Sequence, residues 1–331
     1  MAIISVRKIT YSIVMISVLA VSFLLPKHSE AYVKTKVDVT IQNDFVVEPG
    51  KTEIFLDPGE NLIKNISVTN RINKTVRFKL TTEDFIGTND ANQPVMLLGD
   101  TNGPYSLKDF IIPEITEFSL EFGEKITIPV TVSVPANAEP IGHYGALIIS
   151  NDPDKLEGEA AKETEGKTRI VSRIGSLFLL RINGEGKEEG KIENFKTIGP
   201  KKMFYSARPS GFEIAFKNTG NVHLVPYGTI TIKNIFNQVI KTMPVDAYFV
   251  LPDSIRYREV NWEKGFNLGR YTANLSLYKG YNNEFEEVRF AFWIVPWKIL
   301  VPIFASIVLI ITIFYYVLTR FELRKKTATK F

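Results

Sequence analysis

The stretch KITIPVTVSV, Lys125–Val134, decides the fold class. Ile126, Ile128, Val130, Val132 and Val134 fall on one side, and Lys125, Thr127, Thr131 and Ser133 on the other. Side chains alternate with a period of two along a β-strand and 3.6 along a helix, so this pattern specifies a strand with one buried face. Working outward, Thr75–Thr81 places Val76, Phe78 and Leu80 inward against Arg77 and Lys79, and Leu62–Asn70 aligns Leu62, Ile66 and Val68. Val37–Ile41 alternates as well, and Gly145–Ser150 and Ser176–Ile182 complete a first set of strands. A second set follows: Phe212–Lys217, a hairpin of Gly228–Asn234 and Val239–Thr242 across Ile235–Gln238, then Tyr257–Trp262, Gly269–Tyr278 and Glu287–Trp293. In Gly269–Tyr278 the residues Tyr271, Ala273, Leu275 and Leu277 point one way. Short strands spaced by Gly, Pro, Asn and Asp turns, with no helical periodicity between them, predict an all-β chain of two Ig-like β-sandwich domains. Their expected bounds are 32–186 and 187–295, with the Gly/Lys/Glu-rich Asn183–Lys191 as linker.

Two apolar runs flank this region. Residues 1–31 have the form of a signal peptide: Arg7 and Lys8, an apolar run from Ile9 to Leu25, Pro26, and Ser29-Glu30-Ala31 with small residues at the positions that precede a cleavage site. An uncleaved anchor helix is the alternative. The second run, Ile299–Leu318, carries no charge, and at ~1.5 Å per residue it is long enough for the ~30 Å hydrocarbon layer of a bilayer. Trp293 and Trp297 lie on one side of it and Tyr315 and Tyr316 near the other, where interfacial aromatics belong. The tail 319–331 is basic through Arg320, Arg324, Lys325 and Lys326, which assigns that end to the cytoplasm. The expected localisation is therefore a single-pass cell-membrane protein with its N-terminal region outside.

Composition narrows the function. The chain has 331 residues, 45% of them hydrophobic, and a net charge of +4 that resides in the two ends. The middle is near neutral, so nucleic acid is not an expected partner. There are no cysteines. Thiol catalysis, Cys-ligated zinc and iron–sulfur clusters are excluded, and an exported domain without disulfides fits a bacterial or archaeal surface. No nucleophile elbow, zinc-protease motif, phosphate loop or dinucleotide fingerprint is present. His28, His143 and His223 are scattered, and Glu114 with Glu117 is the nearest approach to a paired-carboxylate site; each is expected to be an ordinary strand, turn or surface residue. Neither catalysis nor a cofactor or metal is expected.

Two irregular stretches stand out: the acidic Asn151–Lys167, which lacks calcium-loop spacing and predicts a solvated extension, and residues 86–112, a long excursion of the kind that often carries function. Tyr105 and Phe110 in that excursion, with Tyr278 and Tyr281, are the candidate binding aromatics, since exposed rings stack on sugars or anchor protein partners. Packing inside the sandwich is their alternative role. Asn65-Ile66-Ser67, Asn73-Lys74-Thr75 and Asn274-Leu275-Ser276 match the glycosylation triplet, which is common by chance.

FLDPGENLIKNISVTNRINKTVRFKL (Phe55–Leu80), LEFGEKITIPVTVSVPANAEPIGHYGALIIS (Leu120–Ser150) and RIGSLFLLRINGEG (Arg173–Gly186) resemble the peptidoglycan-binding domain of WxL-interacting surface proteins of Gram-positive bacteria. FKNTGNVHLVPYGTITIKN (Phe216–Asn234) and LPDSIRYREVNWEKGFNLGRYTANLSLYKG (Leu251–Gly280) are similar to the host- or partner-binding second domain of the same proteins. The resemblance implies a membrane-anchored adaptor that binds cell-wall polymer, surface proteins of the WxL type, or both. Local features have plain physical causes: Pro58-Gly59 is a turn pair, Asn70 and Asn218 end strands where an amide can satisfy a turn, and Gly142 and Gly145 allow close backbone approach beside Tyr144. The alternative is a structural stalk or a pilus-assembly-like chaperone tied to the membrane; a wall hydrolase is the third reading. The processed protein is expected to begin at Tyr32, which N-terminal sequencing of the exported chain checks; a start upstream of Arg7 would identify residues 1–31 as an anchor.

Overall fold

The computed structural model describes residues 32–151, 171–200, 202–263 and 268–320. The signal peptide, most of the acidic Asn151–Lys167 stretch and nearly all of the basic tail lie outside the described residues. The strands are β1 (Val33–Lys36), β2 (Phe45–Glu48), β3 (Lys51–Leu56), β4 (Asn61–Asn70), β5 (Val76–Gly87), β6 (Val95–Leu97), β7 (Ile111–Pro113), β8 (Glu117–Leu120), β9 (Glu124–Ser133), β10 (Gly142–Asn151) and β11 (Arg173–Ile182). There follow β12 (Gly190–Thr197), β13 (Phe204–Tyr205), β14 (Gly211–Asn218), β15 (Tyr227–Asn234), β16 (Val239–Val245), β17 (Ser254–Asn261), β18 (Gly269–Tyr278) and β19 (Phe285–Ile294), and then one helix, α1 (Trp297–Arg320).

Four sheets form two sandwiches. In the first, β1-β9-β4-β2, with β7 also on β9, faces β3-β11-β10-β5-β6, with β8 also on β5. Their inner faces enclose a core built from the alternating residues read in the sequence: Ile126, Ile128, Val130 and Val132 from β9, Val76, Phe78 and Leu80 from β5, Ile66 and Val68 from β4. In the second, β12-β14-β17 faces β13-β19-β18-β15-β16, around Phe212, Ile214, Phe216, Leu275, Leu277 and Phe292. Burying apolar surface between two such faces is what makes the alternating pattern stable, at ~25 cal/mol per Å2 of apolar area removed from water.

Several expectations need correction. Val37–Ile41 is not a strand: β1 ends at Lys36, and the following residues cross the edge of the sheet with Val37 N–H bonded to the Gly123 carbonyl. Alternation over five residues is satisfied equally by an extended crossing segment. The linker ends at Glu189, because Gly190 and Lys191 open β12, pairing with Asn218 and Lys217. The excursion at 86–112 is partly ordered: Ile86 and Gly87 belong to β5, Val95–Leu97 forms β6, and Lys108–Phe110 is a 3-10 turn. Short edge strands such as β2, β8 and β13 left no periodic signal, and β3 was missed because it joins β11 in parallel from the chain's far side. The helix starts at Trp297, two residues before the apolar run that begins at Ile299, and this puts Pro302 in its second turn. There it denies a donor to the Lys298 carbonyl, a position where a helix bends.

The two sandwiches repeat one device. Asn70 ends β4 with no exposure; its amide N–H2 donates to the carbonyls of Lys74 and Leu120 (2.9 Å each), and its Oδ1 accepts from Ile72 N–H (2.9 Å). Asn218 ends β14 and does the same with Val222 (2.8 Å), Val250 (2.9 Å) and Gly220 N–H (2.9 Å). Each amide satisfies three backbone groups at the end of its strand. Replacing Asn70 or Asn218 by Ala is expected to cost about 3 kcal/mol, by stranding those groups, while Ala at the exposed Asn65 should cost under ~0.5 kcal/mol. Denaturant melts of the full chain in detergent check this.

Candidate functional site

The outer face of the sheet β13-β19-β18-β15-β16 carries exposed aromatic rings beside a polar groove. Register fixes its rows. Tyr227 is opposite Tyr278, and Tyr278 opposite Phe285. Because alternate residues point outward, these three rings form one row: the Tyr227 and Tyr278 centroids are 4.8 Å apart at 54°, and those of Tyr278 and Phe285 5.5 Å apart at 50°. Tyr227 and Phe285 are 47% and 63% exposed. An aromatic ring held in a row by its neighbours loses little entropy on binding, which suits it to an interface anchor. Both neighbouring rings are tilted by about fifty degrees, so the row presents edges and ridges rather than one flat stacking platform.

The next rows are polar. Thr231, Lys233, Asn274, Ser276, Glu287 and Arg289 line a shallow groove of about 590 Å3. The buried Oδ1 of Asn274 has no hydrogen-bond partner among the described residues. Lys279 rims the row, 3.2 Å from Glu284; burial alone would lower its pKa, but the Glu284 hydrogen bond and the neighbouring Tyr281 and acidic groups leave it raised. An aromatic row bordered by mixed charges and an orphan amide has the anatomy of a docking surface, with an apolar centre and a polar rim.

The four candidate aromatics separate. Tyr278 is in the exposed row. Tyr281, three residues further on, is only 7% exposed and its hydroxyl accepts from Gly190 N–H (3.1 Å), tying the β18–β19 turn to β12. Phe110 is half-buried, against the first core and His143 (5.5 Å between rings). Tyr105 donates to Asp253 (3.0 Å), across the boundary between the sandwiches. Burial, and then Asp253, push its pKa up to about 12. Tyr227 and Phe285 were missed; the signal that finds them is the register of two hairpins, which a single strand's sequence does not contain.

Tyr105 belongs to a seam that sets the orientation of this face. β10 is buried on both sides: Leu147 and Ile149 face the first core, while Tyr144, Ala146 and Ile148 face Leu251 and Phe249 of the second sandwich. In the middle, the Tyr144 hydroxyl meets Nδ1 of the buried His223 at 3.3 Å, and His223 Nε2 meets Glu53 Oε1 at 2.9 Å. A carboxylate only accepts, so Nε2 carries the proton, and in the neutral ring Nδ1 accepts from Tyr144. Gly142 is required here, because a Cβ would lie 2.0 Å from the Tyr144 hydroxyl. Its N–H donates to the Asn221 carbonyl of the second sandwich (2.9 Å). Asp84 holds the loop carrying Tyr105, accepting from the backbone N–H of Gly103, Leu107 and Lys108. Burial raises its pKa, and those bonds with Ser106 overcome that and lower it.

His143 bonds the Ser106 carbonyl (2.8 Å) and Glu117 pairs with Arg77. Among the described residues no group of three or more His, Cys, Asp or Glu is placed to hold a metal ion.

No family model matches this sequence, and no curated protein does. Among solved structures, a class 5 fimbriae chaperone, CfaA, is similar at 12% identity and a TM-score of 0.37, over 75% of this chain and 99% of that one. The CsuC–CsuE chaperone–tip adhesion subunit complex of Acinetobacter baumannii gives 12% and 0.34, over 74% and 97%. A PapD-like domain of human CEP192 gives 10% and 0.29, over 48% and 99%. Likeness this slight bears on neither the fold nor the partner of this chain.

The pH dependence of the seam follows from Glu53. The His223 hydrogen bond, opposed by burial, holds its pKa below the ordinary value of 4.5. A depressed carboxylate adds stability above its unfolded pKa and loses it as the pH falls through the folded one. From about pH 5 to about pH 3, wild type is expected to lose more stability than Glu53→Gln, as read by denaturant melts across that range.

Proposed function

We propose that this chain is a membrane-tethered, non-catalytic surface adaptor that holds another extracytoplasmic protein on the outer face of its second sandwich. The observation that carries the reading is the exposed row Tyr227–Tyr278–Phe285, continuous with the polar groove below it. Its tilted rings suit the irregular surface of a protein better than the flat face of a sugar. The α1 helix has 24 residues and no buried side chain, as a membrane anchor requires. In this reading everything from Tyr32 to the start of α1 lies outside and the basic tail inside. A pilus-assembly-like chaperone, the alternative drawn from the sequence, is one form of the same activity, in which the held protein is passed on. The resemblance to WxL-interacting proteins supports a surface partner of that kind.

The groove and the orphan Asn274 amide favour a second occupant, cell-wall polymer, whose hydroxyls would meet those polar groups. One experiment separates the two. A photo-crosslinking residue replaces Phe285 in the full chain, and intact cells are irradiated. A crosslinked product that protease shortens and muramidase leaves intact is expected; a muramidase-sensitive product assigns the face to wall polymer, and no product at all contradicts the adaptor reading. Tyr278→Ala is expected to weaken capture of the crosslinked partner by tenfold or more, the loss of one interface anchor, measured with the purified pair.

A further inference from the structure

The second sandwich has an end that faces α1, and that end is apolar. β19 stops at Ile294 and α1 begins at Trp297, with only Val295 and Pro296 between them. The junction is tied down, since Trp293 N–H donates to the Met203 carbonyl and Val295 N–H to the Tyr205 carbonyl. Register brings other segments to the same level. Gly269 is opposite Ile294, and Asn234 is opposite Tyr271, which is opposite Phe292. The β15–β16 turn that continues past Asn234 therefore projects toward the start of α1. It lies two strands from β19, ~10 Å to the side.

The residues exposed at this end are those that water-facing turns usually avoid. Phe236 is 79% exposed, Met203 65%, Ile235 59%, Phe204 58%, Trp297 55% and Leu268 49%. They come from four separate segments, so no single turn explains them. Beside Phe204 and Trp297 opens a cavity of about 680 Å3, lined also by Lys202, Arg208 and Tyr205. The buried Nε and Nη2 of Arg208 have no hydrogen-bond partner among the described residues.

We infer that this end of the second sandwich is a lipid-docking surface, seated in the headgroup layer of the bilayer that α1 crosses. The inference rests on the reading of α1 as a membrane span. The occupant follows from the covalent connection: two residues extend at most ~7 Å, so a bilayer containing α1 lies against this end. Apolar side chains dip ~5–10 Å into the boundary between headgroups and acyl chains, and Lys202 and Arg208 stand where phosphates lie. Docking fixes the tilt of the sandwich and keeps the aromatic row at the far end. Phe285 and Trp293 are eight positions apart on one strand, ~26 Å.

The test uses the absence of native cysteine. Single Phe236→Cys, Thr229→Cys and Leu309→Cys variants of the full chain carry an environment-sensitive fluorophore and are reconstituted in vesicles of phosphatidylcholine and phosphatidylglycerol. Nitroxide-labelled lipids then report depth. The expected result is strong quenching at 309 and 236 and little at 229. Quenching at 309 without quenching at 236 overturns the docking surface and leaves the anchor intact. No quenching at 309 overturns the anchor, and the docking surface with it.

Discussion

The contact between Tyr144 and His223, closed on its far side by Glu53, is the constraint on which the arrangement of this molecule depends. Burying a phenol and an imidazole together is costly unless each finds a partner, and here each is the other's. Around them the outward side chains of β10 and β11, with Phe85, meet Leu251 and Phe249. β10 thus serves two hydrophobic layers at once, which accounts for the near-continuous apolar run in GHYGALIIS. The short connection at 183–189 supplies little rigidity itself. It is held by its neighbours, with Arg181 on Glu188 at 2.6 Å and Lys187 N–H on Asn221 at 2.7 Å.

Legibility of the fold followed the strength of the period-two signal. β4, β5, β9, β14 and β18 each bury one face against a core, and their alternation marked them. β12 was hidden by its composition: Lys191, Glu193 and Lys196 are charged, and Phe195 is its one fully buried large side chain. Gly190 sits there for lack of space, since a Cβ would come within 2.6 Å of Phe216, yet in sequence it resembles part of a flexible linker. The roles of Asn70 and Asn218 were visible because an amide at a strand end answers a local need. The site was less visible. Aromatic content singled out both Tyr278 and Tyr281, but Tyr278 faces outward from the end of β18 while Tyr281, in the turn that follows, folds back onto Gly190 of β12, a long-range contact that local sequence does not contain.

The second sandwich has distinct chemistry at its two ends. At the seam end of its outer sheet lies the ring row; at the α1 end lie Phe236, Phe204 and Trp297. Both are apolar; the first is bordered by Lys279 and Glu284, and the second has Lys202 and Arg208 at its cavity, with Glu263 held by Lys241 nearby. Mixed charge suits a protein surface, and positive charge suits the phosphates of a membrane. The seam carries this polarity into the first sandwich, because a fixed orientation makes the two sandwiches one lever standing on α1.

That fixed orientation is the central claim, and a distance measurement tests it most directly. Ile63→Cys on β4 and Thr229→Cys on β15, both exposed positions, carry spin labels in the full chain in lipid nanodiscs, and pulsed electron spin resonance records the distance between them. A single narrow distribution is predicted. A broad or multiple distribution would mean that the seam opens in solution and that the sandwiches move independently.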